Sequence, residues 1–295
     1  MIIVKMMGGL GNQMFQYAFA KHLAVKQGVE LKMDLSHFKR ELNKDKFTVR
    51  DLGLSHFNTN PVIASEAELK RYEKSKFSKI IDLFCLNLPF KLNHLYVREP
   101  FFRFYKKALN APKDCYLDGY WQSEYYFREI RKELLNDFTL VSELSDETMH
   151  VAEKIKSQQS VSIHVRRGDY ISIAENQTIY SICDEQYYLT AMNRMADINK
   201  DSVFYVFSDE PEWFKTKVHS KYNVQYVMHN VGKNSYQDLY LMSLCKHNII
   251  ANSSFSWWAA WLNKNIEKMV IAPKNWFKNR SKDTSDLIPK AWIQL

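Results

Sequence analysis

The sequence lacks several patterns that would place it in a common class of enzyme or membrane protein. Its four cysteines are far apart and form no CxxC pair, which argues against a zinc cluster or a disulfide framework. No apolar run reaches the roughly 18–20 residues that a membrane span needs. The phosphate-loop pattern, HExxH and GxSxG are also missing, so the commonest nucleotidases, zinc proteases and α/β-hydrolases are excluded.

The sequence contains no Asp-x-Asp pair either. Enzymes that bind a nucleoside diphosphate through a metal ion use such carboxylates, because hard cations prefer oxygen ligands. We therefore expect neither a metal ion nor any other cofactor.

Composition limits the choice of partner more than the choice of fold. The 295 residues suit one large domain or two of medium size. A formal net charge of +8 favours anionic partners, but the lysines and arginines are scattered and do not indicate nucleic acid. The opening "MIIVKMMGGLG" is typical of a first strand and not of a signal peptide, so we expect a cytoplasmic protein with reduced cysteines.

The order of strand and helix patterns predicts an α/β protein. Residues 1–33 show a strand, a glycine-rich turn, a helix over 14–27 that ends at Gly28, and a second strand. Short helices are expected around 65–75 and 100–110. After residue 160, helices alternate with strands, which indicates a doubly wound parallel sheet with its ligand site at the carboxyl edge. These strands are predicted at 161–165, 203–207, 224–228, 248–251 and 268–272. The polar segment 141–159 is a plausible junction, so we place the domains at 1–155 and 156–295.

The stretch "SIHVRRGDY" places two arginines side by side at the end of a predicted strand. Side chains alternate along a strand, so Arg166 shares a face with His164, and Arg167 lies on the other face. One arginine can then bind a diphosphate through its two-pronged guanidinium group, and the other is structural, paired with Asp169 or Asp184. The alternative is an ordinary surface ion pair between arginine and aspartate.

Two further strand ends contain polar side chains that suit either a ligand or a helix cap. In "FSDEPEW", Ser208 and Asp209 can bind a base or a sugar, or can cap a helix that begins at Pro211. In "ANSSFSWW", four polar residues precede an apolar helix, whose free amides would make an anion site. These four residues are Asn252, Ser253, Ser254 and Ser256.

The first turn, "GGLGNQM", partly matches the dinucleotide-binding fingerprint. Gly9 and Gly11 have the required spacing, and Asp34 lies near the expected ribose-binding position, but the third glycine is missing. An NAD-type oxidoreductase is therefore one alternative. Asn12 can cap the following helix or contact a ligand.

Taken together, the motifs resemble the bacterial α-1,2-fucosyltransferases of glycosyltransferase family 11. The matching blocks occur in the family's order along nearly the whole chain: "GGLGNQMFQYAFAKHLA", "LDGYWQSEYYF", "HVRRGDY", "FSDEPEWF" and "MSLCKHNIIANSSFSWWAAWLN". The resemblance implies a GT-B-like fold, in which two Rossmann-type halves with parallel sheets face a central cleft. It also implies that the second half binds GDP-fucose and that the first faces the acceptor.

The resemblance assigns roles by position. Arg166 would bind the diphosphate, and His164 and Asp169 would shape its pocket. His247 or Asn248 would face the guanine. Asn12 would lie across the cleft, near the fucose and the phosphate, as a catalytic candidate. The remaining donor-site residues would lie in the three loops already described: Gly9, Gly11, Ser208, Asp209, Asn252, Ser253, Ser254, Phe255 and Ser256.

The implied reaction moves L-fucose from GDP-β-L-fucose to the 2-hydroxyl of a terminal β-galactoside, with inversion at C1. Asp118 and Glu124, which flank "GYWQS", are candidates for the base that takes the acceptor's proton. The acceptor would be a free or lipid-linked glycan in a bacterial cytoplasm, with peripheral contact at the inner membrane and no role for nucleic acid. A non-catalytic basic protein that binds nucleotides or RNA is the second alternative.

The first prediction concerns metal dependence. An arginine and a helix N-terminus can neutralise a diphosphate without a cation, so transfer should survive an excess of EDTA. Activity is measured as GDP release before and after chelation. Complete loss, restored by Mn²⁺ or Mg²⁺, would contradict the charge argument.

Overall fold

The chain folds into two compact units, each built around a parallel sheet. The first contains Met1–Val141 with Asp283–Leu287, and the second contains Ser142–Lys282 with Ile288–Leu295. The α/β class predicted from the sequence is confirmed. The structure, a computed structural model, describes residues 1–41, 51–72, 95–278 and 282–295.

Four parallel strands form the sheet of the first unit, in the spatial order β2-β1-β4-β3. They are β1 (Ile2–Lys5), β2 (Leu31–Asp34), β3 (Tyr96–Arg98) and β4 (Cys115–Asp118). Strand β2, which follows β1 in the sequence, pairs with one edge of β1, and β4 pairs with the other edge of β1. The loops that follow β1 and β4 therefore meet at a point where the strand order diverges.

Helix α1 (Leu10–Gln27) covers this sheet and begins earlier than the predicted residue 14. It buries most of its apolar side chains and ends at Gly28, as expected. Near residues 100–110 the structure has a short 3-10 helix (Lys106–Asn110) in place of the predicted α-helix. The other α-helices described in this unit are α2 (Ser36–Glu41), α3 (Glu66–Lys70) and α4 (Arg131–Asp137).

Six parallel strands form the second sheet, in the order β10-β9-β8-β5-β6-β7. Five of them match the predicted strands to within about two residues, because their apolar runs are short and clearly bounded. The strands are β5 (Ser160–Val165), β6 (Val203–Ser208), β7 (Asn223–Val227), β8 (His247–Ile249), β9 (Val270–Ala272) and β10 (Ile293–Gln294).

Helices connect these strands. They are α5 (Asp146–Ser157), α6 (Gly168–Ser172), α7 (Ala174–Ile179), α8 (Glu185–Ala196), α9 (Pro211–Lys217), α10 (Tyr236–Leu244) and α11 (Ser254–Leu262). Within the described ranges, no helix has both the length and the apolar character of a membrane span.

The two compact units divide nearer the sequence start than the predicted domains do. The predicted boundary at 155/156 falls inside α5, which belongs to the second unit. Ser145 caps this helix, accepting a hydrogen bond from the Thr148 amide, and its own amide donates to Gln237 in α10. The division after Val141 falls at the start of the polar segment 141–159 that was taken as a junction, and most of that segment is a helix packed against α10 in the second unit.

The central strand β5 has an apolar face and a polar face, and both are buried. Val161, Ile163 and Val165 pack in the apolar core on one side. On the other side, Ser162 accepts a hydrogen bond of 2.7 Å from the side chain of Asn248, which is fully buried. The Asn248 amide also donates to the Met242 carbonyl, and its oxygen accepts from Asn263. A closed polar network therefore joins β5, β8 and the helices around them.

The second prediction tests this network. Asn248→Ala leaves several buried polar groups without a partner, each of which costs roughly 1–3 kcal/mol. We expect the free energy of unfolding, measured in urea, to fall by about 2 kcal/mol or more. The control is Asn193→Ala, which removes one exposed hydrogen bond to Tyr222 and should cost about 1 kcal/mol or less. Equal losses for the two variants would show that the network is not a stabilising element.

Candidate functional site

The carboxyl edge of the second sheet has its switch point between β5 and β8. From β5 the chain proceeds outward to β6 and β7, whereas β8, β9 and β10 lie on the opposite side. Ligands of open α/β sheets bind where the strand order diverges in this way. The loops after β5 and β8 are also joined directly, since the Tyr170 hydroxyl donates to the Asn252 carbonyl at 3.0 Å.

Arg166 lies in this region and is held by Asp209 from the end of β6. Its Nη1 atom is 2.9 Å from Asp209 Oδ2, and its guanidinium lies 5.8 Å from the centre of the Tyr170 ring. The second oxygen of Asp209 accepts the backbone amide of Arg167 at 3.0 Å. One carboxylate thus fixes both the arginine head and the loop. The Arg166 side chain keeps 28% of its surface exposed, so an anion can still reach it.

Arg167 contacts other protein groups, but not the partners considered from the sequence. Its guanidinium stacks 3.9 Å from the centre of the Trp213 ring, and its Nε atom lies 3.4 Å from Glu210 Oε2. The predicted partner Asp184 instead caps α8 through the Tyr187 amide. The side chain of Asp169, the other predicted partner, lies outside the described residues.

His164 is buried beside the arginine pair and is neutral. Burial, with a smaller effect from the positive charge of Arg166, lowers the pKa of its imidazole to about 3. Its ring lies 5.7 Å from that of Phe255, and its Nδ1 atom has no hydrogen-bond partner among the described residues. A neutral imidazole with a free ring nitrogen can bind a polar ligand without adding charge.

The polar residues at the start of α11 divide into structural and accessible positions. Asn252 is buried and donates to the carbonyls of Ser181 and Trp276. Ser256 is also buried and donates to the Ser253 carbonyl, while Ser253 accepts the Phe255 amide as the N-cap. The partly exposed residues at this N-terminus are Ser254 and Phe255.

Ser208 does not cap helix α9. Its hydroxyl accepts the Glu210 amide at 2.9 Å and closes the turn after β6, while Asp209 pairs with Arg166. The positions of His247 and Asn248 in the sheet argue against the guanine contact assigned to them. His247 begins β8 opposite Val161, at the amino end of the sheet, and its Nδ1 atom accepts the Met269 amide.

In the first unit, the predicted loop before α1 is built around Gly8 and not around Gly9 or Gly11. Gly8 has φ +75°, and a Cβ atom there would lie 2.6 Å from Asn12 Nδ2. Both facts require glycine at this position. Gly9 instead accepts the first amide bonds of α1, and Gly11 is buried within its first turn.

Asn12 bridges the two loops at the carboxyl edge of the first sheet. Its Oδ1 atom accepts a hydrogen bond of 2.7 Å from Gln122 in the loop after β4. Two buried glutamines of α1 hold the preceding loop: Gln13 donates to the Gly8 carbonyl, and Gln16 accepts the Met7 amide. The structure therefore brings together the "GGLGNQ" and "GYWQS" segments, each of which the sequence analysis had treated alone.

The two candidate bases have different surroundings. Asp118 is paired with Lys5 at 3.0 Å and accepts the Tyr96 hydroxyl at 2.6 Å. Glu124 begins a 3-10 helix and is partly exposed. A third acid, Glu99, follows β3 and accepts two amides of the "GYWQ" loop. Sequence reasoning missed it because residues 36–115 show little periodicity.

The described residues contain no group of three or more histidine, cysteine, aspartate or glutamate side chains arranged to hold a metal ion. The expectation of metal independence stays a prediction.

Comparison with known proteins supplies the class. The family model "Glycosyl transferase family 11" matches residues 1–295. The alpha-1,2-colitosyltransferase of Escherichia coli is 31% identical over 303 residues, covering 100% of this chain and 98% of that protein. The O-antigen biosynthesis glycosyltransferase WbnK of the same species is 34% identical over 307 residues, covering 98% of each. The solved fucosyltransferase NodZ from Bradyrhizobium is similar with a TM-score of 0.49 and 15% identity, over 88% of this chain and 90% of that one.

An α/β protein with two parallel sheets whose whole length matches this family model is a glycosyltransferase. The chain belongs to glycosyl transferase family 11. This confirms the family predicted from the sequence motifs and argues against both the oxidoreductase and the non-catalytic alternative.

The third prediction separates the two arginines. Arg166→Ala should abolish GDP binding in calorimetry while the melting temperature changes little, because a partly exposed ion pair contributes about 0–1 kcal/mol. Arg166→Lys keeps the charge but not the two-pronged geometry, so turnover should fall at least about tenfold.

Arg167→Ala is the matched variant. It removes the stacking on Trp213 and should lower the melting temperature while the folded protein still binds GDP. If Arg167→Ala abolishes GDP binding in a stable protein and Arg166→Ala retains it, the two roles must be exchanged.

Proposed function

We propose that the protein transfers L-fucose, or a closely related 6-deoxy sugar, from a GDP-linked donor to the 2-hydroxyl of a terminal β-galactoside. The observation that supports this most is the junction of the loops after β5 and β8. There, Tyr170 bonds the Asn252 carbonyl and lies beneath the Arg166 guanidinium. A fixed cation and a helix N-terminus are thereby brought close to each other, an arrangement suited to a diphosphate.

The chemistry follows from where charge develops. The bond between C1 of the sugar and the β-phosphate oxygen breaks, and the electron pair leaves with GDP. The acceptor oxygen forms the new bond at C1 from the opposite face, which converts a β-linked donor into an α-linked product. Arg166 and the amides at the start of α11 would stabilise the growing negative charge; one such donor is typically worth about 2.7–4 kcal/mol.

The acceptor hydroxyl loses its proton during this step. Asp118 is already held by two contacts: its carboxylate pairs with Lys5 and accepts the Tyr96 hydroxyl, and only 14% of its side chain is exposed. Glu124 is partly exposed at the start of a 3-10 helix, where an acceptor hydroxyl can reach it, and is the stronger candidate for the base.

The acceptor and the location are proposed from chemistry and from the relatives' names. One relative at 34% identity acts in O-antigen biosynthesis, which supports a free or lipid-linked bacterial glycan as the acceptor. We place the reaction in the cytoplasm, with the basic surface in peripheral contact with the inner membrane and no nucleic acid involved. No metal ion or other cofactor takes part in the proposed reaction.

A second donor, GDP-colitose, is included in the test because one relative at 31% identity is a colitosyltransferase. Colitose is fucose without its 3-hydroxyl group. A site that hydrogen-bonds this hydroxyl would reject colitose strongly, whereas an apolar site would discriminate little. The donor preference therefore reports the chemistry of the sugar pocket.

The fourth prediction concerns donor and linkage. The purified protein is incubated with GDP-fucose or GDP-colitose and a panel of galactosides, and the products are analysed by NMR. We expect an α-1,2 linkage to galactose, with GDP-fucose giving the higher kcat/KM, and Arg166→Ala serving as the inactive control. An α-1,3 or α-1,6 product would contradict the linkage. Transfer from GDP-colitose alone would assign the protein to the related donor.

A further inference from the structure

Glu99 occupies a position that the proposed reaction does not yet use. It directly follows β3, and its backbone amide extends the pairing with β4 by donating to the Asp118 carbonyl at 2.9 Å. Its two carboxylate oxygens point at the loop after β4. Oε2 accepts the Tyr120 amide at 2.7 Å, and Oε1 accepts the Trp121 amide at 3.1 Å.

The loop that Glu99 holds has little freedom to move. A Cβ atom on Gly119 would lie 2.4 Å from Glu99 Cβ, so the loop approaches the glutamate as closely as glycine allows. Trp121, fully buried, has φ +57°, a left-handed conformation that a bulky side chain rarely adopts. Such a conformation persists where the surroundings enforce it, and two bonds to one carboxylate are part of that enforcement.

The same loop ends at Gln122, which donates to Asn12 at 2.7 Å. A continuous series of contacts therefore runs from the Glu99 carboxylate through the Trp121 amide to the loop before α1. A change in the charge of Glu99 alters the hydrogen bonding at one end of this series.

Charge at this position is sensitive to pH near neutrality. Burial, and to a lesser degree the nearby negative charge of Asp118, raise the pKa of Glu99 from 4.5 to about 7, against the two amides that lower it. The groups that face it are Asp118 at the end of β4, itself balanced by Lys5 of β1, and the phenol of Tyr126. Arg98, on its own strand, is exposed.

The direction of this pKa shift shows which protonation state of Glu99 the fold favours. A carboxyl whose folded pKa exceeds its unfolded value stabilises the fold only while protonated, and that stability is lost as pH rises from about 4.5 to about 7. Ionised Glu99 is therefore costly to the fold, whereas ionised Glu99 is the form that accepts both amides. Such a conflict between stability and geometry is typical of functional positions.

We infer that Glu99 is a positioning residue for acceptor transfer: its carboxylate holds the loop 119–122, and through Gln122 and Asn12 it fixes the acceptor-facing edge of the first unit. This inference rests on the proposed function. The ligand concerned is the galactoside acceptor, because the proposed diphosphate contacts, Arg166 and the start of α11, lie in the second unit.

The first experiment observes the loop without using enzymatic activity. Amide hydrogen exchange of the peptide that contains residues 119–123 is compared between wild type, Glu99→Gln, Glu99→Ala and the control Glu133→Gln, which changes an exposed glutamate on α4. Glutamine can accept one amide but presents its NH₂ group to the other, so it mimics the protonated state. We expect faster exchange in Glu99→Gln, faster still in Glu99→Ala, and no change in the control.

The second experiment measures transfer to a galactoside against pH. Wild type and Glu133→Gln should gain activity with rising pH along a limb near pH 7, as Glu99 loses its proton. Glu99→Gln should lack this limb. At pH 8, Glu99→Ala should raise the acceptor KM about tenfold or more while the donor KM changes less than about twofold.

Each outcome decides the inference. Unchanged exchange in folded Glu99→Ala overturns it, since Glu99 then does not hold the loop. Loss of kcat in Glu99→Gln with unchanged loop exchange also overturns it and makes Glu99 the base itself. If wild type transfers no sugar to any galactoside, the proposed function fails, and the exchange data still show whether Glu99 holds the loop.

Discussion

The carboxylate of Asp209 is the contact on which the carboxyl edge of the second unit depends. Two adjacent arginines repel each other, and a loop that contains both needs opposite charge nearby. Asp209 neutralises Arg166 and fixes the loop backbone, while its neighbour Glu210 lies beside Arg167. Two consecutive acidic residues at the end of β6 thus lie beside two consecutive arginines at the end of β5. This pairing leaves Arg166 oriented and partly exposed, and it holds Arg167 against Trp213.

The two units stabilise their edge loops by different means. In the second unit the loops after β5 and β6 are joined by ion pairs, next to a neutral, buried His164. In the first unit the loops after β1 and β4 are joined by uncharged amides, of which the bond from Gln122 to Asn12 is the direct link. Charged contacts suit a site for a diphosphate, and neutral amides suit a site for sugar hydroxyls, which both donate and accept hydrogen bonds.

Much of the fold followed from sequence because parallel strands have strong local signals. The strands of the second unit are short apolar runs bounded by turns, and their order along the chain predicted that β5, β6 and β8 would present their ends together. The assignment of the two arginines to opposite faces required nothing beyond the alternation of side chains. The partner of Arg167 could not be found in this way, because Glu210 and Trp213 become its neighbours through the pairing of β5 with β6.

Several residues predicted at the candidate site share one structural property. Asn248, Asn252 and Ser256 are polar residues beside the predicted site, and each proves to be buried and bonded to other protein groups. From sequence, a buried amide that completes a core network cannot be distinguished from one that binds a ligand, since both need the same residue types. Glu99 shows the converse. Its strand has no distinctive sequence pattern, and its carboxylate is bonded to a loop about twenty residues later in the chain. Whether such a residue binds a ligand or stabilises the protein therefore depends on the loops that it contacts at the sheet edge. The residue type alone does not reveal this.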